Sequence, residues 1–152
     1  MDKQYYPVEI EEKWSRIWSK RILSNKNSKT AFSQVIPPPN VTGTLHMGHS
    51  FQYAIMDFYT RYHHMAGKDA HWQVGADHAG IATQMVVENN LAKKDLKRHD
   101  LGREKFLDEV WSWKDYSEEK ITSQIKRLGC SVDWNKYRFT LDDGFNEAVI
   151  KA

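Results

Sequence analysis

Gly43-Thr44-Leu45-His46-Met47-Gly48-His49-Ser50 is the stretch that decides the fold. An apolar run, Ala31-Phe32-Ser33-Gln34-Val35-Ile36, and three prolines, Pro37 to Pro39, come before it. A strand that feeds a glycine-bearing turn and then a helix N-terminus is how α/β proteins hold phosphate groups. The first-turn amides of such a helix have no acceptor within it, and the helix dipole is positive there. Two histidines three residues apart at this spot point to a phosphate that is meant to react.

Downstream, Met47, Phe51, Ile55, Phe58, Tyr62 and Met65 step by 4, 4, 3, 4 and 3, one continuous apolar face of a helix. Asp57 and Arg61 are spaced to pair across one turn, and Gly67 is placed to cap the C-terminus. A second strand, about Ala70 to Val74, runs into Gly75-Ala76-Asp77-His78-Ala79-Gly80 and a helix through about Asn89. Residues 30–90 therefore read strand, turn, helix, strand, turn, helix. The expected fold class is α/β, a right-handed parallel unit forming the first half of a Rossmann-like, parallel-sheet nucleotide-binding domain.

The flanks add helices. Pro7 suits a first helical position, Glu9, Glu11 and Glu12 suit the electropositive first turn, and Ile10, Trp14, Ile17 and Trp18 recur at helical spacing. That pattern predicts a helix of about four turns whose tryptophan stripe docks elsewhere. Residues 24–29 read as a polar loop and 30–36 as a buried strand ended by the prolines. Residues 93–105, with six Lys or Arg against three acids, read as a charged, solvated connector. Phe106, Val110 and Trp113 mark one helix, and Ile121, Ile125 and Leu128 its continuation or another, up to Gly129. Nothing after residue 105 reads as a convincing strand. Two parallel strands leave faces and edges uncovered, so further strands are expected beyond residue 152 unless the helices provide the cover.

Composition sets the class. The chain has 152 residues, 40 % apolar and 28 % charged, enough for one domain with a core. No run approaches the ~20 apolar residues of a membrane span, so no membrane partner is expected, and the first residues lack the apolar centre of a signal peptide. Cys130 is the only cysteine and has no internal partner, which makes a cytoplasmic location the expectation. A net charge of +2 gives no electrostatic footprint for nucleic acid.

Ligands of open α/β sheets bind at the carboxyl ends of the strands, which sets the turn at 37–49 beside the turn at 75–80. The first offers helix amides, Asn40, Thr44, His46 and His49; the second offers Asp77, with His78 next to it. Positive groups for a phosphate and a carboxylate for an amine suit a substrate carrying both. Imidazole donors count most when charge grows on phosphorus in the transition state. Three other readings remain in view. His46 and His49 with His78 resemble part of a metal site, though no cysteine or second carboxylate stands near in sequence. Asp77 is also placed as an N-cap. Gly43-x4-Gly48-His49-Ser50 parallels a G-x-x-x-x-G-K-[ST] phosphate loop of an NTPase, with His49 where the lysine belongs.

Taken together, His46-Met47-Gly48-His49, the preceding Pro37-Pro38-Pro39-Asn40-Val41-Thr42-Gly43, the turn Trp72 to Gln84, and Arg127-Leu128-Gly129 with Ser131-Val132-Asp133-Trp134 resemble the class I aminoacyl-tRNA synthetases, in their valine-specific branch. The resemblance spans nearly the whole chain. It implies the amino-terminal part of a catalytic domain over residues 1–152, without the Lys-Met-Ser-Lys-Ser loop, the editing insertion or the anticodon-binding helices. It implies ATP-dependent activation of valine with Mg2+ accompanying the nucleotide, then transfer to tRNA(Val) by an enzyme that is a monomer at full length. By that likeness His46 and His49 are catalytic. Thr44, His46, Gly48 and His49 contact ATP, and Pro37, Asn40 and Asp77 hold the amino acid. No protein metal ligand is implied. The sequence departs from the family at Ala76, where threonine is common, and at Glu118-Glu119, where two glycines are usual. A non-catalytic descendant that binds ATP, valine or a partner protein is the alternative.

Overall fold

The computed structural model describes residues 4–18 and 25–152; Ser24, the head of the expected polar loop, and any fourth turn of the first helix lie outside them. The chain forms two compact units. Met1–Ile36, His46–Val74 and Ser123–Tyr137 make the first, and Pro37–Leu45, Gly75–Thr122 and Arg138–Ala152 the second. Among the described residues no helix is long and apolar enough to cross a membrane.

In the first unit, α1 (Pro7–Trp18) precedes strand β1 (Ala31–Val35), helix α2 (Met47–Met65) and strand β2 (Asp69–Gln73). β1 and β2 pair in parallel, Ala31 opposite Asp69 through Val35 opposite Gln73. Along β1 half-covered Phe32 and Gln34 alternate with exposed Ala31, Ser33 and Val35, and along β2 buried Ala70 and Trp72 alternate with half-covered Asp69, His71 and Gln73. The expectation of a fully buried strand is therefore corrected. The face under α2 is the better covered of the two, and a sheet covered mainly on one face alternates with period two.

α2 turns an unexpected side inward. Tyr53 and Thr60, two helical turns apart, are fully buried. The stripe from Met47 through Met65 lies about 120–200° around the helix from Tyr53 at 100° per residue, and its six side chains are 43 to 86 % exposed. Polar contacts explain the choice of face. The Gln34 side-chain amide donates to the Met56 carbonyl at 2.6 Å and to Thr60 Oγ1 at 2.6 Å. Thr60 donates back to the same carbonyl at 3.0 Å, and the Trp72 ring packs edge-on against Tyr53.

The C-terminus of α2 closes as a Schellman motif. Gly67 takes φ +84°, its N–H donates to the His64 carbonyl, and the Lys68 N–H donates to the His63 carbonyl. The spaced pair forms as well. Arg61 meets Asp57 at 2.7 Å and donates to the Gly129 carbonyl at 2.7 Å, while Asp57 accepts the Ser131 N–H at 2.7 Å. The Arg61 guanidinium also covers the Trp18 ring of α1, 5.2 Å from its centroid. Cys130 sits inside this network. Burial first, and the Asp57 carboxylate second, push its thiol up to about 12.

In the second unit, strand β3 (Gly75–Ala76), helix α3 (Gly80–Ala92), most of helix α4 (Arg98–Arg127), strand β4 (Arg138–Phe139) and helix α5 (Asp143–Lys151) follow in order. The core packs Val87 and Leu91 of α3 against Phe106, with Leu101, Val110 and Trp113 around them. The charged connector proves shorter than expected, residues 93–97 only. Asp100 accepts the Lys97 N–H at 2.9 Å, half of a capping box that starts a helical turn at Arg98. Gly102, at φ +75° and ψ 170°, then kinks α4 before its long run. That run passes unbroken through Glu118 and Glu119, and Glu118 meets Lys114 at 2.7 Å.

β4 corrects the expectation of no strand after residue 105. It pairs in parallel with β3, Gly75 opposite Arg138 and Ala76 opposite Phe139, and the Thr140 N–H donates to the Ala76 carbonyl. Two residues are too few for an alternation to show in sequence. The approach is so close that a Cβ on Gly75 would collide with the Arg138 backbone carbonyl.

Two outcomes follow. Gly75→Ala should separate β3 from β4 and cost about 1–3 kcal/mol, in line with other overpacked sites, read as a lowered midpoint in urea. Cys130 should react with iodoacetamide slowly in the native chain and at the rate of a free thiol after unfolding, since the thiolate is the nucleophile.

Candidate active site

The expected site residues fall into two groups, one in each unit. The first unit holds His46, Gly48 and His49 at the start of α2. His46 is the N-cap, with φ −118° and ψ 175°. Its Nδ1 accepts the Gly48 N–H at 3.1 Å, and the Nδ1 of His49 accepts the His46 N–H at 3.2 Å. This is a reciprocal capping box built from two imidazoles in place of the usual hydroxyl and carboxylate. The rings lie 3.9 Å apart between centroids. In a neutral imidazole one nitrogen accepts and the other carries the proton. Both Nδ1 atoms accept, so both protons sit on Nε2, and each ring retains one N–H donor.

His49 favours the neutral form. Burial, and then the neighbouring His46, lower its pKa from the ordinary 6.5. Gly48 makes the geometry fit, since a Cβ there would stand 2.9 Å from Cε1 and 3.0 Å from Nδ1 of the His46 ring. A side chain at this position would push the ring off its cap.

The second unit holds Pro37, Asn40, Thr44 and Asp77. The loop before α2 and the turn after β2 are joined backbone to backbone. The Asp77 N–H donates to the Pro39 carbonyl at 2.9 Å, and the Val41 N–H donates to the Asp77 carbonyl at 3.0 Å, a parallel bridge between Asn40 and Asp77. α4 pins the loop further along. Trp113 Nε1 donates to the Val41 carbonyl at 3.0 Å, and the buried Ser117 hydroxyl donates to the Gly43 carbonyl at 2.8 Å. Pro37, Asn40 and Thr44 themselves are exposed.

Asp77 is half-buried and is not the N-cap of α3. Ala79 occupies that position in the left-handed region, φ 51°, with no side-chain cap bond. The Asp77 carboxylate closes a local turn through Oδ1, which accepts the Ala79 N–H at 2.8 Å and the Thr140 hydroxyl at 3.2 Å. Thr140 also takes the His78 N–H at 2.9 Å and lies 2.5 Å from His78 Nδ1. Sequence reasoning missed Thr140, Trp113 and Ser117 as supports. The first stands 63 residues from Asp77 and no local pattern links them. The tryptophan reads as core by its spacing. Among the described residues no three or more His, Cys, Asp or Glu side chains are grouped to hold a metal ion.

The family described as tRNA synthetases class I (I, L, M and V) matches residues 9–152. The valine–tRNA ligase of Acinetobacter baylyi is 57 % identical over 146 residues, 95 % of this chain and 15 % of that protein. The valine–tRNA ligases of Francisella tularensis and Sphingopyxis alaskensis are 52 % and 50 % identical over the whole chain, which covers 17 % and 16 % of them. The chain thus spans about a sixth of the length of these relatives. Among solved structures, a LeuRS of Agrobacterium radiobacter K84, in ternary complex with tRNA and LeuAMS, superposes with a TM-score of 0.71. At 16 % identity, over 93 % of this chain and 17 % of that one, the likeness is one of fold. The parallel strands with flanking helices of this chain are a partial Rossmann-like arrangement.

Two measurements probe the histidine pair. Gly48→Ala should displace the His46 ring and cost about 1 kcal/mol, the usual value of a lost N-cap, with the His46 Cε1 proton shifting in NMR spectra. Because the folded pKa of His49 is depressed, the unfolded chain binds the extra proton first. Stability should therefore decline as pH falls from about 6.5 through the lower folded value. His49→Gln, which keeps an acceptor at the third helical position, should flatten that slope in melting temperatures taken from pH 7.5 to 5.

Proposed function

Since the chain belongs to the class I tRNA synthetases of the isoleucine, leucine, methionine and valine group, we propose that it carries the valine- and ATP-binding residues of a valine–tRNA ligase. In this reading an oxygen of the valine carboxylate attacks the α-phosphorus of ATP. The bond to pyrophosphate breaks and valyl-adenylate forms. A hydroxyl of the terminal ribose of tRNA(Val) then takes the valyl group, and AMP leaves. The longer protein works in the cytoplasm as a monomer.

The residues divide the labour by charge. His46 and His49 present neutral Nε2–H donors, which gain most when the oxygens on the α-phosphorus acquire charge. Losing one donor of this kind costs roughly a hundredfold in rate, about 3 kcal/mol. Gly48 and Thr44 lie along the nucleotide, with Gly48 leaving room for close approach. Asp77 receives the valine ammonium, a charge-assisted contact worth about 1.5–3 kcal/mol. Pro37 and Asn40 shape the wall against the valine side chain.

Magnesium takes oxygen ligands, and these two turns supply a single carboxylate with one oxygen already engaged. The residues fit a phosphate and an amine but form no magnesium cage, so the ion belongs to the nucleotide. No general base is required, because the attacking group is already a carboxylate and the catalysis rests on positioning and electrostatics.

The observation that carries the reading is the backbone bridge between Asn40 and Asp77, together with the Nδ1-accepting histidines. The bridge joins the turn bearing Asp77 to the loop that holds Asn40, which supports assigning both residues to the amino acid. Calorimetric titration of the chain with valine tests it. Asp77→Asn should weaken binding at least tenfold, and an unchanged affinity would remove Asp77 from the site. Residues 1–152 contain no Lys-Met-Ser-Lys-Ser loop. Valine-dependent exchange of pyrophosphate into ATP should accordingly run far below that of the full-length relatives, and an equal rate would contradict the assignment.

A further inference from the structure

The Asp77 carboxylate is used unevenly. Oδ1 accepts from Ala79 and from Thr140 and lies 3.4 Å from His78 Nδ1. Oδ2 has no partner among the described residues. The hydroxyl of Thr140 has one proton to give and two lone pairs to receive with. If the proton goes to Asp77 Oδ1, the two contacts with His78 must both be received, one from its backbone N–H and one from Nδ1. His78 then carries a proton on Nδ1, the position at which His46 and His49 accept.

We infer that Thr140 is a positioning residue for the amine-binding carboxylate, an inference that rests on the reading of Asp77 as the ammonium site. Its hydroxyl ties Oδ1 to the turn, so that Oδ2 alone is presented to a ligand. It also holds the His78 proton on Nδ1, directed at the hydroxyl. His78 is thereby kept from donating to Asp77 itself, a contact that would compete with the ligand for the same carboxylate.

The support is rigid and remote. Thr140 follows β4, its N–H is fixed on the Ala76 carbonyl, and β4 is held against β3. Arg138 and Asp142 brace the segment through two contacts, one of them 2.6 Å. Hydrogen bonds to Arg138, and then to the Phe145 N–H, hold the Asp142 carboxyl down at about 2, so the brace stays charged at any working pH. A threonine needed only to fill space would not place its single hydroxyl on two neighbouring polar side chains and a backbone amide.

Thr140→Val removes the hydroxyl and keeps the shape; Thr140→Ser keeps the hydroxyl. The side-chain 15N shifts of His78, assigned by comparison with His78→Gln, report the proton's location in each chain. Wild type and Thr140→Ser should show protonated Nδ1, and Thr140→Val should move population to Nε2. Valine titrations should show a five- to tenfold loss of affinity in Thr140→Val and less than a twofold change in Thr140→Ser. A tautomer and an affinity both unmoved in Thr140→Val would overturn the inference. A tautomer that moves while affinity holds would overturn the positioning role. If Asp77→Asn leaves valine binding intact, the ammonium reading is what fails, and the 15N shifts alone still decide the hydroxyl's part.

Discussion

Two backbone hydrogen bonds at Asp77, one given to Pro39 and one received from Val41, are the constraint on which the second unit's chemistry depends. Proline explains why they form where they do. Pro37 to Pro39 have no N–H to donate, so regular pairing stops, yet each still offers a carbonyl. Pro39 uses its carbonyl to take the Asp77 N–H, and pairing continues two residues later at Val41. The loop is then accounted for carbonyl by carbonyl, Val41 taken by Trp113 and Gly43 by Ser117. Buried backbone groups must find partners. Here the partners come from α4, whose Trp113 and Ser117 fix the loop.

Histidine serves two different ends in these two turns, and the neighbouring polar groups decide which. At the head of α2 the backbone amides of His46 and Gly48 need acceptors. The rings answer with Nδ1, leaving Nε2 protonated. At His78 the nearest partner is a hydroxyl bound to a carboxylate, and the proton requirement reverses. The same side chain caps a helix in one place and is a spacer between polar neighbours in the other. The distinction comes from which group faces Nδ1, which composition cannot encode.

What the sequence made legible was whatever repeats or punctuates. The β1–α2–β2 order, the Gly67 terminus, the Asp57–Arg61 pair and the family resemblance at His46-Met47-Gly48-His49 were all readable because each has a local spacing. Three of the failures share a cause in non-local pairing. The 4-4-3-4-3 stripe of α2 marks an apolar face but cannot say which neighbour it meets, and Gln34 with Thr60 decides that the other face turns inward. β4 is two residues long, below the length at which alternation exists. Thr140 matters only because a strand 63 residues downstream of Asp77 returns to it. The connector misread at residues 98–105 hid a cap, Asp100 reaching back to Lys97, inside a run of charge.

The outward stripe from Met47 to Met65 sets how this polypeptide behaves when concentrated. With a net charge of only +2, molecules of the chain repel one another weakly, while each carries a greasy ridge about five turns long. Attraction between ridges then outweighs repulsion between bodies at moderate salt. Colloidal tolerance, not thermal resilience, is the quantity this ridge governs, and a negative osmotic second virial coefficient is its signature.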